Sequence, residues 1–293
     1  MSPILKDIPD MTFKYMDGGR YQLIKRLGAG SYGVVYRARE RDLLSGHYVP
    51  RAIKVLSLHW GHRNSHLREI TMHSMVTGHD NVVGLHRAFR EGNFLYIVMD
   101  LLDGGDLRTH ISKKRTLCRN DALIRNVFLQ IIDGVQACHD VGVYHRDLKP
   151  ENIFVNSDLT RVCIGDFGLS TDATASTSFN TGSRHYMSPD CGVECVDCGD
   201  ELYPYNTLRS DTWALGILLL TIVTGYIPWN RATIDDKNFR AFLEQEDHLL
   251  TVFPISKELN GILRRIFTII PGRRAVVHFL NFAERFATSI HST

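Results

Sequence analysis

The chain has 293 residues, 44% of them apolar, which is enough to form one or two globular cores. Its 34 basic residues nearly balance 32 acidic ones, for a formal net charge of +2. So small a net charge gives no electrostatic reason to expect binding to nucleic acid or to an anionic membrane, so neither is an expected partner.

The hydropathy pattern points away from export and membrane insertion. The first residues contain no long apolar stretch, so we expect no secretion signal. The most apolar run, Trp213 to Val223, is far shorter than the roughly 20 residues of a membrane span and predicts a buried helix instead. Six cysteines are too few for a disulfide scaffold at this length. We therefore expect reduced thiols and a cytoplasmic or nuclear protein.

The first third of the chain has mainly the pattern of strands. Residues 1–20 carry scattered charges and are predicted to form a short leader. Loose alternation of β-branched and aromatic residues then predicts strands at 21–27, 34–39, 48–55, 82–85 and 94–99. A segment around His66 to Ile70 has the apolar spacing of a helix and lies between the third and fourth of these strands.

A glycine-rich segment at 28–33, Gly-Ala-Gly-Ser-Tyr-Gly, follows the first predicted strand. The same glycine spacing occurs in dinucleotide-binding loops, but those lead directly into a helix. Here Val34-Val35-Tyr36 comes next, which favours a strand–loop–strand flap. Glycines allow such a flap to bring backbone N–H groups close to phosphates. A plain hairpin turn is the alternative that this segment alone leaves open.

The pattern becomes helical after Gly104-Gly105, a turn signal that marks a domain boundary. A stripe of apolar residues predicts a helix at 120–139, and the segment from Ser210 to Leu220 is apolar nearly all round, as a central buried helix would be. Further amphipathic helices are predicted at 236–246, 257–269 and 274–289.

The most specific string in the chain is His-Arg-Asp-Leu-Lys-Pro-Glu-Asn at 145–152, followed by Asp-Phe-Gly at 166–168. Its residue types are those that phosphoryl transfer needs. A carboxylate can orient a hydroxyl, a cation can offset phosphate charge, and an amide and a second carboxylate can bind Mg²⁺. Motif for motif, the two strings resemble the catalytic loop and the metal loop of eukaryotic protein kinases.

This resemblance implies a role for each polar residue of the two strings. Asp147 would accept or orient the proton of the substrate hydroxyl, and Lys149 would stabilise charge on the transferred phosphoryl group. Asn152 and Asp166 would hold Mg²⁺ through oxygen atoms. A lysine at 149 is typical of the kinases that act on serine and threonine.

Two residues of the first third of the chain gain a role in the same way. Lys54, between Ile53 and Val55, would pair with the α- and β-phosphates and with Glu69. By themselves, a strand lysine is usually solvated on one face and a helix glutamate usually lies on the surface. Only the joint pattern with the 145–152 string favours the ion pair.

The resemblance also implies an ATP site between two lobes. The backbone of Asp100 and Leu102 would hydrogen-bond adenine, and Met99 would be the gatekeeper side chain behind them. The full set of predicted nucleotide-binding residues is Leu27, Gly28, Ala29, Gly30, Ser31, Gly33, Val35, Ala52, Lys54, Met99, Asp100, Leu102, Asp106 and Phe154.

Some positions support the family pattern and others depart from it. Asp211 would accept hydrogen bonds from the catalytic-loop backbone, since an unpaired buried carboxylate costs several kcal/mol. Ser183 stands where threonine is usual between Asp147 and Lys149, and it retains the hydroxyl. His73 stands where an apolar residue is usual, and it would pack there only as the neutral imidazole.

Two further departures concern packing. Phe154 is larger than the aliphatic residue that usually lies under adenine. Asp190 replaces the glutamate of the usual Ala-Pro-Glu motif and is predicted to pair with Arg274. Because the aspartate side chain is one methylene shorter than that of glutamate, the geometry of the ion pair would differ from the usual one.

The segment after Asp166-Phe-Gly is rich in serine and threonine. Arg146 precedes the catalytic aspartate, and kinases with an arginine there often use it to bind a phosphate on this segment. We therefore predict that phosphorylation near Ser178 or Thr181 orders the segment.

The cysteine cluster Cys191, Cys195 and Cys198 has two interpretations. A tetrahedral zinc site needs four ligands, and only three thiols are close in sequence. The alternative, which we favour, is an insertion loop with free thiols.

The predicted fold is α+β, a two-lobed kinase with a small antiparallel lobe at 21–102 and a larger helical lobe at 103–290. The expected activity is transfer of the γ-phosphoryl group of Mg-ATP to protein serine and threonine hydroxyls by a monomer. A pseudokinase scaffold is the alternative. A small-molecule kinase of related fold is disfavoured because such enzymes usually lack the long activation segment.

A narrower resemblance rests on three strings in the second half of the chain. These are Tyr-Met-Ser-Pro-Asp at 186–190, Tyr-Ile-Pro-Trp-Asn at 226–230, and 254–267. They are similar to fungal kinases that negatively regulate sexual conjugation and meiosis.

Overall fold

The structure is a computed structural model that describes residues 8–30, 33–42, 44–58, 63–114, 116–117, 120–192 and 204–270. Two lobes are present, one built on a sheet and one mainly helical. The predicted α+β, two-lobed architecture is therefore confirmed.

The small lobe is a six-stranded antiparallel sheet with strand order β1-β2-β3-β4-β6-β5. Helix α1 lies between β4 and β5 in the chain. The bounds are β1 Tyr15–Met16, β2 Tyr21–Gly30, β3 Gly33–Arg41, β4 Tyr48–Ser57, α1 Arg63–Val76, β5 Leu85–Glu91 and β6 Phe94–Asp100.

The segment before Tyr21, predicted as a leader, packs on this sheet. Met11 and Met16 are buried in the same apolar cluster as Tyr36 and Tyr96. The backbone N–H of Met11 donates to the Tyr36 hydroxyl at 3.1 Å. Residues 15–16 form β1, so the segment adds both a strand and apolar side chains to the small lobe.

The large lobe combines helices with two small sheets, β7-β8-β9 and β10-β11. Its helices are α2 Leu107–Thr109, α3 Asp121–Asp140, α4 Pro189–Gly192, α5 Thr207–Thr224, α6 Lys237–Glu244, α7 His248–Val252 and α8 Lys257–Ile266. Its strands are β7 Gly105–Asp106, β8 Ile153–Val155, β9 Val162–Ile164, β10 Ala175–Ser176 and β11 Tyr205–Asn206. Short turns of other helix types cover His110–Lys114, Pro150–Asn152 and Arg184–Tyr186.

Helix α5 is the centre of the large lobe, as its all-round apolar sequence predicted. Nearly all of its side chains are buried, from Thr207 to Val223. The ring of Trp213 on α5 lies 5.9 Å from that of Trp229 and 4.9 Å from that of Phe267. Such aromatic contacts fix this helix within the lobe, and Asp211 near its N-terminal end contacts the catalytic loop.

Most predicted elements are present, with corrections at their ends. The prediction that a strand begins at residue 82 is wrong, because β5 begins at Leu85. Val82 and Val83 instead contact Ile164 of the large lobe, through a β-bridge and a 2.9 Å bond from Val83 N to Ile164 O. Helix α7 was not predicted, α8 ends at Ile266, and the helix predicted at 274–289 lies outside the described residues.

No helix in the described part of the chain is both long enough and apolar enough to cross a membrane.

The packing of the N-terminal segment can be tested by truncating one side chain. Met11 is 3% exposed, and Met11→Ala is expected to lower the free energy of unfolding by about 2–4 kcal/mol because it leaves a cavity. Phe13 is 69% exposed, and Phe13→Ala should change it by less than about 0.5 kcal/mol. Urea denaturation measures both, and equal losses would show that the segment does not belong to the core.

Candidate active site

The two lobes meet at a buried ion-pair cluster centred on Lys54. Its Nζ lies 2.5 Å from Glu69 Oε1 and 2.8 Å from Asp166 Oδ1. Strand β4 supplies Lys54, helix α1 supplies Glu69, and the turn after β9 supplies Asp166. The cluster therefore joins the sheet, the helix of the small lobe and the large lobe.

In this cluster, the attraction between opposite charges offsets the effect of burial on the pKa values of Lys54 and Asp166. Burial alone would lower the pKa of Lys54, but the carboxylates of Asp166 and Glu69 raise it above its usual value. Burial would likewise raise the pKa of Asp166, and the ammonium of Lys54 lowers it overall. Asp166 is thus kept ionised, as a cation ligand must be.

The catalytic-loop residues form a second cluster around Asp147. Lys149 Nζ donates to Asp147 Oδ2 and to Ser183 Oγ, both at 2.7 Å. Asn152 Nδ2 donates to the Asp147 carbonyl at 2.8 Å and to Asp147 Oδ2 at 3.1 Å. Asp147 Oδ1 is buried and has no hydrogen-bond partner in the described part of the chain. A substrate hydroxyl is the kind of donor that this oxygen could accept.

Asp211, near the N-terminal end of α5, holds the catalytic loop through hydrogen bonds to its backbone. Its Oδ2 accepts from the backbone N–H of His145 at 2.8 Å, and its Oδ1 accepts from that of Arg146 at 2.8 Å. His139 Nε2 lies 2.9 Å from Oδ2. Arg146 has a φ of +63°, a conformation that costs a non-glycine residue energy, and these bonds stabilise it.

Arg146 also connects the catalytic loop to the segment that follows Asp-Phe-Gly. Its Nε donates to the Leu169 carbonyl at 2.7 Å, and its Nη1 donates to Ser176 Oγ at 3.0 Å and lies 3.5 Å from the Tyr205 hydroxyl. Ser176 and Tyr205 are themselves paired in the β10–β11 ladder.

His73, which stands where the family pattern has an apolar residue, is buried and has both a hydrogen-bond partner and ring contacts. His73 Nε2 is 2.6 Å from the Val83 carbonyl, so this nitrogen carries the proton and donates. The rings of His73 and Phe167 are 4.7 Å apart, and those of Phe167 and His145 are 5.1 Å apart. Burial lowers the pKa of His73 to about 4, so the ring is neutral near pH 7.

The predicted adenine-binding residues gather where the lobes join. Met99 and Phe154 pack against a small apolar cluster of Val83, Leu102 and Cys163. Met99 comes from β6, Leu102 from the hinge (residues 100–102, which connect the lobes), Val83 from the connection between α1 and β5, and Phe154 and Cys163 from the β8–β9 hairpin.

The larger side chain at 154 has a local explanation. A Cβ added to Gly165 would lie 2.9 Å from the Phe154 ring. The phenyl group therefore fits because residue 165 has no side chain.

The glycine-rich turn is described on both sides of its tip. Leu27, Gly28, Ala29 and Gly30 are exposed at the end of β2, and a side chain at Gly28 or Gly30 would meet open space. Gly33 differs, because an added Cβ would lie within 2.4 Å of the Val55 carbonyl. The first two glycines are thus not required by packing, which fits a flap that approaches a ligand.

Other predicted nucleotide-binding residues take ordinary structural positions. Val35 and Ala52 lie on the paired strands β3 and β4. Asp106 caps α2 by accepting from Thr109 N at 2.8 Å.

Several predictions fall outside the described residues. These are the roles of Ser31, of Arg274 as partner of Asp190, and of Cys195 and Cys198. Cys191 is described and buried, with its Sγ 3.0 Å from Ser188 Oγ and 3.1 Å from Ser210 Oγ. Within the described ranges, no group of three His, Cys, Asp or Glu side chains has the arrangement of a metal site.

The residues around Asp147 fit a magnesium ion. Asn152 uses its amide nitrogen on Asp147, which leaves Oδ1 for a cation, and Asp166 offers an ionised carboxylate. Mg²⁺ prefers such oxygen ligands and usually keeps several waters, so two protein ligands are enough.

Sequence reasoning missed three contributors to this site. His139 lies 72 residues from Asp211, and Ser176 and Tyr205 lie 30 and 59 residues from Arg146. A histidine at a helix end and a serine in a serine-rich segment carry no signal in a single sequence. Their roles follow from the tertiary contacts alone.

Comparison with known proteins agrees with this geometry. The family model described as "Protein kinase domain" matches residues 21–281. The chain is 36% identical over 287 residues to the "Negative regulator of sexual conjugation and meiosis" of Schizosaccharomyces pombe, covering 92% of this chain and 61% of that protein.

Two further relatives have protein kinase in their names. A serine/threonine-protein kinase of Saccharomyces cerevisiae is 34% identical over 225 residues, covering 72% of this chain and 44% of that protein. CBL-interacting protein kinase 17 of Oryza sativa subsp. japonica is 32% identical over 268 residues, covering 87% of this chain and 54% of that protein. The chain thus spans about half to three fifths of the length of these relatives.

The buried His73 predicts a specific dependence of stability on pH. The pKa of His73 is about 4 in the folded protein, below the ordinary value of 6.5. Between pH 6.5 and pH 4 the histidine is therefore protonated in the unfolded chain but largely neutral in the native state. Stability should therefore fall as pH drops from about 6.5 to 4, by up to roughly 3 kcal/mol from this residue.

The matched variant for this prediction is His73→Gln, which does not titrate in this range. The difference between the wild-type and His73→Gln unfolding free energies, measured by urea denaturation from pH 7 to pH 4, isolates the histidine. Parallel curves for the two proteins would contradict the prediction.

Proposed function

The chain belongs to the protein kinase family, and on that premise we propose that it transfers the γ-phosphoryl group of Mg-ATP to serine and threonine hydroxyls of protein substrates. The observation that carries the proposal is the state of Asp147. One carboxylate oxygen is held by Lys149 and Asn152, and the other is buried without a partner in the described part of the chain. Such a carboxylate is positioned and still able to accept a hydroxyl proton.

Each neighbouring residue has a task in this reaction. Asp147 orients the hydroxyl of the substrate and takes its proton as the oxygen attacks the γ-phosphorus, while the bond from that phosphorus to the β,γ-bridging oxygen breaks and ADP leaves. Lys149 places a positive charge beside the reacting oxygens, and the Ser183 hydroxyl fixes its ammonium. Lys54, positioned by Glu69, binds the α- and β-phosphates.

A magnesium ion would supply the remaining positive charge that the phosphates of ATP need. Asn152 Oδ1 and the Asp166 carboxylate would hold the ion, which when bound offsets the charge of the phosphate oxygens. The glycine-rich turn and the hinge residues Asp100 and Leu102 would hold the rest of the nucleotide.

The preference for serine and threonine has two supports. Lys149 is bonded both to the catalytic carboxylate and to Ser183, in the arrangement that the resemblance to serine/threonine kinases implied. Several relatives carry serine/threonine-protein kinase in their names. The pseudokinase alternative has no observation in its favour, since Lys54, Glu69, Asp147, Asn152 and Asp166 are all assembled.

The biological setting remains part of the proposal. The similarity to the fission-yeast regulator supports a regulatory kinase that restrains conjugation and meiosis by phosphorylating proteins. We propose that it acts as a monomer in the cytoplasm or nucleus.

The central test replaces the catalytic carboxylate. Asp147→Asn should lower kcat by about 100- to 10,000-fold, because it removes the proton acceptor but keeps the shape of the side chain. Phosphate transfer from radiolabelled ATP to generic protein substrates measures this. Asp158→Asn, which changes an exposed turn aspartate, is the matched control and should leave activity unchanged. Equal activity of Asp147→Asn and wild type would remove the proposal.

A second test concerns the segment after Asp-Phe-Gly. Ser176 Oγ bonds Arg146 and also accepts from Ser178 N at 3.1 Å, so a phosphate on Ser178 would enter the reach of the arginine. The double variant Ser178→Ala/Thr181→Ala should lose at least about tenfold in activity, the effect of ~1.4 kcal/mol. Thr177→Ala, at an exposed neighbour, is the control. Activity of the double variant equal to that of the control would contradict regulation at these two positions.

A further inference from the structure

The hinge residue Asp100 carries a side chain with an unusual number of partners. Its Oδ1 lies 2.7 Å from His86 Nε2 and 3.8 Å from Arg51 Nη1. Its Oδ2 lies 3.2 Å from Arg161 Nη2 and 3.4 Å from Gly84 N. The side chain is 21% exposed, so most of this carboxylate is surrounded by its partners.

These partners come from separate parts of the molecule. Arg51 is on β4, His86 is on β5, and Arg161 directly precedes β9 in the large lobe. Arg161 also donates from Nε to the Asp80 carbonyl at 3.4 Å, in the connection between α1 and β5. One carboxylate thus ties two strands of the small lobe to a hairpin of the large lobe.

The backbone of Asp100 is tied at the same time. Its N–H donates to the Gly84 carbonyl at 2.9 Å, so its contribution to a nucleobase has to come from its carbonyl oxygen. A Cβ added to Gly84 would lie 3.0 Å from Asp100 Oδ2, which shows how closely the two residues are packed. A shift of the carboxylate would therefore move the backbone that carries the carbonyl.

We propose that the Asp100 carboxylate, held by Arg161 and His86, is a positioning group for adenine, fixing the Asp100 carbonyl that accepts the 6-amino group. Arg161 is then a positioning residue that acts from the large lobe without touching the nucleotide. The inference rests on the proposed function, because it takes the hinge as the adenine site.

The charges around Asp100 agree with a fixed carboxylate. Burial would raise the pKa of Asp100, but the hydrogen bond from His86 and the charges of His86 and Arg161 lower it overall. An ionised carboxylate between several donors has one preferred geometry, and losing a donor frees it.

Three variants perturb this arrangement in different ways. Asp100→Asn removes the charge with little change of shape, and Arg161→Ala removes the large-lobe partner. Gly84→Ala displaces the carboxylate while leaving every charge in place. Asp17→Asn is the matched control, because Asp17 is a half-buried carboxylate of the same lobe, 2.7 Å from Arg87 and separate from the hinge network.

Calorimetric titration of Mg-ADP into the full chain is the direct measurement. Each of the three variants should raise the Kd for Mg-ADP by about three- to tenfold, the effect of one lost hydrogen bond. Asp17→Asn should bind as wild type does. Arg161→Lys, which keeps a charge beside Asp100, should restore part of the affinity. The double variant Asp100→Asn/Arg161→Ala should lose no more affinity for Mg-ADP than the weaker-binding of the two single variants, because both substitutions disrupt the same interaction.

A second ligand separates positioning from general loosening. Purine riboside diphosphate lacks the 6-amino group and so cannot bond the Asp100 carbonyl, and its Kd should be nearly the same for wild type and variants. Equal weakening of both ligands, or Mg-ADP binding within twofold of wild type in the folded variants, would overturn the inference. Failure of wild type itself to bind Mg-ADP would overturn the proposed function as well, and the two results are distinct.

Discussion

The ion pairs of Lys54 with Glu69 and Asp166 are the contact on which the working arrangement depends. The side chains of Lys54 and Glu69 are almost fully buried at the junction of the lobes, and taking a charge out of water there costs several kcal/mol. That cost is offset only when all three are together, since a buried charge without a partner is strongly destabilising. Sheet, helix α1 and the metal-binding loop are therefore fixed by one electrostatic condition.

The large lobe supplies a matching support for the catalytic loop. Helix α5 is buried on nearly all sides, and its Asp211 accepts both backbone N–H groups at the bend through His145 and Arg146. A left-handed residue in that bend would be unfavourable without such bonds. The rigid helix thus sets the orientation of Asp147, and Lys149 and Asn152 then fix one of its oxygens and leave the other available.

Behind the predicted nucleotide site, the two lobes are joined by backbone and side-chain hydrogen bonds. Residues 82–83 leave the small-lobe sheet and pair with β9 of the large lobe, and Asn81 donates to the Val162 carbonyl at 2.9 Å. Together with the contact of Arg161 and Asp100, these bonds make the back of the hinge a shared structure of both lobes. The backbone that borders the predicted adenine site is therefore held by hydrogen bonds from both lobes.

Local sequence determined the catalytic string, the metal loop and the main helices and strands, because these depend on residue types at short spacing and on apolar periodicity. It also indicated that Lys54 and Glu69 belong together, although only through resemblance. Tertiary structure alone decided that residues 8–20 join the sheet, that 82–83 leave it, and that His139, Ser176, Tyr205 and Arg161 support functional residues distant in the chain. These outcomes depend on which surfaces meet after folding, and a buried polar group takes whatever partner that meeting provides.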